Sequence, residues 1–158
     1  MTNATTRTIY LAADHAGFEH KAAIMAWLVN EKYDIVDMGA TTYDMNDDFP
    51  DFIMAAAAAV SAAPGSRAAI VFGGSGQGEA MAANRYTGVR ATVYYGGNED
   101  IISLSREHND ANVLSIGARF VSIDETKRVI WTWLHLATNS DDKYARRNRK
   151  IDSIARNK

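Results

Sequence analysis

Five short runs rich in aliphatic, β-branched and aromatic residues recur along the chain, with helical patterns between them. TIYLAA (Thr8 to Ala13), YDIVDM (Tyr33 to Met38), AAIVFG (Ala68 to Gly73), RATVYY (Arg90 to Tyr95) and NVLSIG (Asn112 to Gly117) read as strands. Helices are expected at about Phe18 to Asn30, Asp51 to Ala62, Gly78 to Asn84, Asn98 to Glu107 and Asp124 to Leu136, with a basic helix over about 143–156. Strands that are apolar on both faces and separated by helices imply a parallel sheet with helices on both sides, an α/β fold. In such a sheet ligands sit beyond the carboxyl ends of the strands, so functional residues are expected just after them.

The apolar run FIMAAAAAVSAA, from Phe52 to Ala63, is shorter than the roughly 18 to 20 residues of a membrane span, and its alanines suit a helix packed closely on a sheet. The N-terminal MTNATTRTIYLAADHAG has no apolar core of signal-peptide length, so the expectation is a cytoplasmic protein without a membrane partner. At 158 residues and 47% hydrophobic, one globular domain spanning 1–158 is expected. The polar ATNSDDKY before the last helix is the one candidate hinge. A net charge of -2 offers no global basic field, so nucleic acid is not an expected partner and any phosphate affinity must come from a local cluster. With no cysteine in the chain, disulfides, thiolate metal sites and a thiol nucleophile or base are all excluded.

Each strand end carries something of chemical interest. Asp14, His15 and Gly17 follow the first, Gly39 and YDMNDDFPD the second, GGSGQGE the third, Gly96 and Gly97 the fourth, and Gly117 and Arg119 the fifth. A glycine-rich turn opening a helix presents unpaired backbone N–H groups that stabilise a negative oxygen. The dinucleotide fingerprint fails here because Glu79 stands at its third glycine position, and no Lys-Ser/Thr pair completes a phosphate-binding P-loop. Two readings of Glu79 remain open: a base removing a C–H proton next to a carbonyl, with the amides holding the enediolate oxygen, or a carboxylate that complements a helix N-terminus. Asp14 and His15 have a plain reading too, as a helix cap and a surface imidazole.

Together, AADHAGFEHK, YDMNDDFPDF, GGSGQGEAMAAN, SREHNDANVLSIGAR and RRNRKID resemble the ribose-5-phosphate isomerase type B family, which includes the galactose-6-phosphate isomerase subunits. The resemblance covers nearly the whole chain, with five motifs in the family's order. It implies a Rossmann-like three-layer α/β/α sandwich with a five-stranded parallel sheet and a C-terminal basic helix. It also implies a homodimer, or a higher oligomer, with active sites shared between subunits and neither metal nor cofactor. The reaction implied is aldose-ketose interconversion of a sugar phosphate: ribose 5-phosphate and ribulose 5-phosphate, or alternatively a hexose 6-phosphate of the galactose or allose type.

Carried over residue by residue, the resemblance gives Asp14 a role at the ring oxygen or a hydroxyl, and His15 one at the sugar or its phosphate. His108 matches the histidine that opens the ring, Asn109 a neighbour that binds substrate oxygens, and Tyr43 an aromatic near the substrate that can equally be a loop-packing residue. His20 and His135 match nothing and are read as helix residues. One branch of the family places a cysteine at the start of the glycine loop; the other has glycine there and a glutamate at the far end. Gly73 and Glu79 match the glutamate branch, making Glu79 the base, Ser75 the hydroxyl within the loop, and Gly74, Gly76, Gln77 and Gly78 the anion hole. Arg119, Arg146 and Lys150 match the phosphate seat, with lysine in place of the family's second arginine and Arg149 as its possible substitute. Gly96 and Gly97 depart from the family pattern in a loop beside the sugar pocket. Rival readings are a sugar-phosphate-binding protein without turnover and a nucleotide-binding Rossmann domain.

Overall fold

The computed structural model describes residues 7–154. β1 (Thr8–Ala13), β3 (Arg67–Gly73) and β5 (Val113–Gly117), the strands with apolar residues facing both ways, lie in the middle of the sheet. β2 (Ile35–Asp37) and β4 (Ala91–Tyr94) are its edges, and the order β2-β1-β3-β5-β4 is parallel throughout. Register sets Leu11 beside Ile70 and Ile70 beside Leu114, a continuous apolar row across the three central strands.

One face of the sheet is covered by α1 (Phe18–Asn30), α4 (Asp100–Glu107) and α5 (Ile123–His135), which pack Ile24, Leu28, Ile102, Val129, Ile130 and Trp133 onto Ile9, Leu11, Ile70, Phe72, Leu114 and Ile116. The other is covered by α2 (Phe49–Ala62) and α3 (Gln77–Ala83), where Ile53, Ala56, Ala57, Val60 and Ala83 meet Ala12, Ala69, Val71 and Val113. Here small residues face small residues, so the alanine run of α2 is a close-packing seam. The result is the expected three-layer sandwich. Among the described residues no helix is long and apolar enough to cross a membrane.

Element ends differ from the sequence pattern for local reasons. α2 starts at Phe49, ahead of the expected Asp51, because Pro50 fits the first turn of a helix, where its missing N–H leaves nothing unsatisfied. α5 starts at Ile123 because the Ser122 hydroxyl accepts the Glu125 N–H and caps it. β2 is shorter than expected because, at the edge, it pairs only with β1.

α6 (Asp142–Ile154) begins inside the tract expected to be a hinge; the Asp141 carboxylate accepts the Lys143 N–H, and Tyr144 is already helical. The rest of that tract is tethered, with Asn139 N–H donating to Glu107 O at 3.0 Å and the Thr138 hydroxyl to Asp110 at 3.1 Å. Positions 155 and 156 of the expected helix lie outside the described residues. Asn148 is the buried residue of α6, while Ile151 and Ile154 are 50% and 68% exposed, so this helix has little packing within its own chain.

A buried cation ties the β2 edge to the body of the fold. Lys21 of α1 is 3% exposed, and its Nζ reaches both Asp37 oxygens at 2.8 and 2.7 Å and the Ala40 carbonyl at 2.9 Å. This clamp sets where the long β2–α2 connection leaves the sheet. Removing one partner of a fully buried pair costs about 3–5 kcal/mol, and Asp37 is 30% exposed. Asp37→Ala is therefore expected to lose about 2 kcal/mol, whereas Lys21→Met, which removes the buried charge itself, stays within about 1 kcal/mol of wild type. Urea denaturation of both variants checks the order of the two effects.

Candidate active site

The chain leaves β1 toward β2 and returns through β3 on β1's other side, so no connection crosses the crevice beyond their carboxyl ends. A cleft of about 440 Å³ occupies that crevice. Its walls include Asp14 and His15 after β1, Gly74, Ser75, Gly78 and Glu79 after β3, and Arg119 after β5, with Phe49 and Phe120 beside them.

Several close approaches shape the glycine loop. Gly76 adopts φ 77° as the residue that opens α3, a left-handed conformation that disfavours any side chain. The buried Ser115 hydroxyl of β5 donates to Gly76 O at 2.6 Å and holds the loop against the neighbouring strand. A Cβ on Gly73 would collide with the Glu79 carboxylate. Glycine at 73 and glutamate at 79 are therefore one steric choice. Ser75 is exposed and its Oγ accepts the Gln77 N–H at a long 3.4 Å. Arg119 lays its guanidinium across Gly74, 3.3 Å from where a Cβ would stand.

Glu79 is 5% exposed. Burial pushes its carboxyl above the ordinary 4.5; its own backbone N–H pulls partly back, and the nearby charge of Asp14 pushes up again. Asp14 is also buried, and its Oδ1 accepts the N–H groups of Ala16 and Gly17, so it caps the short 3-10 turn His15–Gly17 while lining the cleft. The plain reading of Asp14 as a cap holds, and the same residue lines the cleft. His15 is no free surface imidazole: its Nδ1 lies 2.6 Å from Asp47 Oδ1, and Tyr43 stands edge-on to its ring at 6.3 Å. Asp14, His15 and Asp47 bring three potential metal-ligand atoms within 4.8 Å of one another, a proximity that the His15–Asp47 hydrogen bond accounts for.

The remaining expected residues lie at the opposite end of the sheet, before the amino ends of its strands. His108 ends α4, ahead of the amino end of β5, and stacks on Tyr144 of α6 at 4.2 Å with the rings 9° from parallel. Asn109 presents its carbonyl to Arg90 Nε at 2.8 Å, and Arg90 also pairs with Asp110 and with Asp152 of α6. The length of β5, roughly 16 Å at about 3.3 Å per residue, separates this group from the cleft. Within α6, Tyr144, Asn148 and Asp152 form the seam against the chain. Arg146 and Lys150 sit two positions on from Tyr144 and Asn148, about 200° around the helix, on its exposed outer face. Arg149 is on neither that face nor the seam. One chain thus gathers Asp14, His15, Gly74, Ser75, Gly78, Glu79 and Arg119 in the cleft, with Gly76 and Gln77 in its loop and Tyr43 beside His15. It keeps His108, Asn109, Arg146 and Lys150 away.

Three residues of the cleft region carried no distinct signal in the sequence. Asp47 is one of four acids among Asp44, Asp47, Asp48 and Asp51, and only the fold selects it as the partner of His15. Phe49 sets its ring 2.9 Å from where a Gly78 Cβ would be, closing one wall. Phe120 is 63% exposed at the cleft and stands edge-on to Tyr95, which leads into the positive-φ pair Gly96 and Gly97. His20 and His135 are helix residues, bonded to the carbonyls of Val121 and Trp131.

Known proteins share both the sequence and the fold. The profile of the ribose/galactose isomerase family matches residues 9–154. The ribose-5-phosphate isomerase B of Mycobacterium tuberculosis (strain CDC 1551 / Oshkosh) is 39% identical over 147 residues, covering 93% of this chain and 87% of that protein. The crystal structure of ribose-5-phosphate isomerase B from Mycoplasma genitalium, with bound ribulose 5-phosphate, superimposes with a TM-score of 0.90 at 32% identity, covering 96% of this chain and 97% of that one. The corresponding enzyme of Clostridium thermocellum gives 0.87 at 34% identity, covering 95% and 98%. With the motifs at every strand end, the strand order and these likenesses in agreement, the chain belongs to the ribose/galactose isomerase family.

Proposed function

We propose that this protein is an aldose-ketose isomerase that interconverts ribose 5-phosphate and ribulose 5-phosphate. The observation that carries the reading is the buried Glu79 carboxylate, packed against Gly73 at the head of the glycine loop, in a cleft at the strand-order reversal. Glu79 removes the proton from C2 of the open-chain aldose. The electron pair forms the C1–C2 double bond and pushes the carbonyl pair onto O1, giving a cis-enediolate met by the amides of Gly74, Gly76, Gln77 and Gly78; the O2 hydroxyl proton passes to O1, C2=O forms, and Glu79 returns its proton to C1. Ser75 steadies the same oxygens, and Arg119 supplies positive charge at the mouth. A phosphorylated sugar as substrate suits a cytoplasmic enzyme.

His108, Asn109, Arg146 and Lys150 enter this scheme through a second copy of the chain. They lie about one strand length from Glu79, and α6 exposes Ile151, Ile154, Arg146 and Lys150 without a seat of its own. A homodimer that sets the α6 edge of one copy against the cleft of the other completes each site, with His108 and Asp14 opening the ring. Arg146 and Lys150 then hold the phosphate together with Arg119. The whole chain serves as one isomerase domain in this arrangement.

Turnover across a panel of pentose and hexose phosphates, followed by NMR, tests the reading and its substrate; binding of every sugar phosphate without interconversion would count against it. Glu79→Gln should keep sugar-phosphate binding and lose about 10²- to 10⁴-fold in kcat. In the wild type, the acid limb of kcat/KM should lie above the ordinary carboxylate value of 4.5, because the base must be ionised and burial holds its proton on. The same upward shift means that ionised Glu79 opposes folding above that limb, so Glu79→Gln should melt at or above the wild-type temperature at neutral pH.

The shared site has its own test. Refolding Glu79→Gln together with His108→Ala makes mixed dimers, each with one intact and one doubly altered site, and should restore about a quarter of wild-type activity from two nearly inactive parents. Activity that stays at the parental level places both residues in one subunit's site. For the phosphate, Lys150→Ala should raise KM several-fold, more at low salt than at high, with little change in kcat, and Arg149→Ala should do less because it lies off the outer face of α6. Steady-state kinetics at two ionic strengths compare them.

A further inference from the structure

The ring of His15 is held by a group from a distant part of the chain. Asp47, in the connection between β2 and α2, accepts both the His15 backbone N–H at 3.1 Å and its Nδ1 at 2.6 Å through one oxygen, Oδ1. Asp14, the other acid close by, keeps its Oδ2 3.9 Å from Nδ1, beyond hydrogen-bond reach, and uses Oδ1 on the turn amides. An ionised carboxylate can only accept, so Nδ1 must carry the proton. That leaves Nε2 as the ring nitrogen available to whatever occupies the cleft His15 lines.

The Asp47 side chain is 9% exposed, and its Oδ2 has no hydrogen-bond partner among the described residues. A buried carboxylate oxygen without a donor works against folding, so the packing of the connection alone gives no reason for an acid here. Tyr43, from the same connection, stands edge-on to the ring at 6.3 Å and edge-on to Phe18 at 6.0 Å. Imidazole orientation is thus set by two residues of one loop, which turns back on itself through the Asp44 carboxylate and carbonyl.

We infer that Asp47 is a positioning residue for substrate binding: it fixes His15 in the Nδ1–H tautomer and aims the Nε2 lone pair at a hydroxyl of the bound sugar phosphate. This rests on the isomerase reading above. The role is distinct from a structural one because it passes through the His15 proton, and it does not require the charge of Asp47 as such. An asparagine at 47 can keep an oxygen on the His15 backbone N–H and on Nδ1–H.

Asp47→Ala and Asp47→Asn separate the possibilities. KM for ribose 5-phosphate should rise roughly tenfold in Asp47→Ala, the lower end of the scale seen for partners behind metal-binding histidines, with kcat changed much less. Asp47→Asn should recover most of the loss. In parallel, ¹H–¹⁵N correlation spectra of the free protein, at a pH where imidazole is neutral, should show His15 as Nδ1–H in the wild type and in Asp47→Asn, and as the ordinary Nε2–H form in Asp47→Ala. The spectra need no turnover: a wild type without isomerase activity would sink the isomerase reading, while the tautomer comparison would still decide for or against the role of Asp47. If Asp47→Ala does not fold, the wild-type tautomer and the Asp47→Asn kinetics decide. An Nε2–H His15 in the wild type, an unchanged KM or tautomer in Asp47→Ala, or equal losses in both variants would each overturn the inference.

Discussion

A carboxylate that sits against the backbone of a central strand, nearly out of water, constrains everything around it. Glu79 reaches that place only because residue 73 has no side chain. Its approach leaves room only for a loop that turns at once into a helix, which is why Gly76 takes a left-handed conformation and a β5 hydroxyl braces its carbonyl. Phe49 closes over Gly78 with no space for a methyl group between them. Burial then raises the proton affinity of Glu79, which costs the fold stability at neutral pH.

The same geometry divides the chemistry between the two ends of the sheet. In a parallel sheet all strands point one way, so residues that follow strands and residues that follow helices are separated by the length of a strand. Asp14, Glu79 and Arg119 follow strands, whereas His108 and Asn109 follow α4. No rearrangement within one chain brings these groups together without breaking β5. α6 extends the second group with two cationic side chains on an outer face and two exposed isoleucines, features suited to an intersubunit surface and poorly suited to an isolated helix.

The connection after β2 links edge and centre. Lys21 and Asp37 hold its start in a buried ion pair beneath Ala40, and Asp47 holds its far part against His15. Tyr43 and Asp47 therefore reach His15, in the cleft wall, from the connection between the three-residue edge strand and α2. A loop anchored at both ends by charge can carry binding residues with little apolar packing of its own.

The sequence by itself determined the alternation of strands and helices, the parallel sheet and the edge on which Asp14, Glu79 and Arg119 gather, because periodicity and composition are local properties and the rule for ligands in parallel sheets does not depend on strand order. The glycine loop was legible as a tight turn opening a helix for the same reason: four glycines in the six residues from Gly73 to Gly78 free the backbone for conformations other residues avoid, wherever they occur. Strand order, and everything that depends on it, was decided only by the tertiary structure. Nothing local marks Lys21 as the partner of Asp37 before β2 lies beside β1, and Asp47 is one acid among several before its loop folds over the end of β1. The distance between His108 and Glu79 was likewise invisible, since motifs in a family's order say nothing of which edge each occupies. Contacts such as Lys21–Asp37 and His15–Asp47, 16 and 32 positions apart, arise from packing, and no local pattern encodes them.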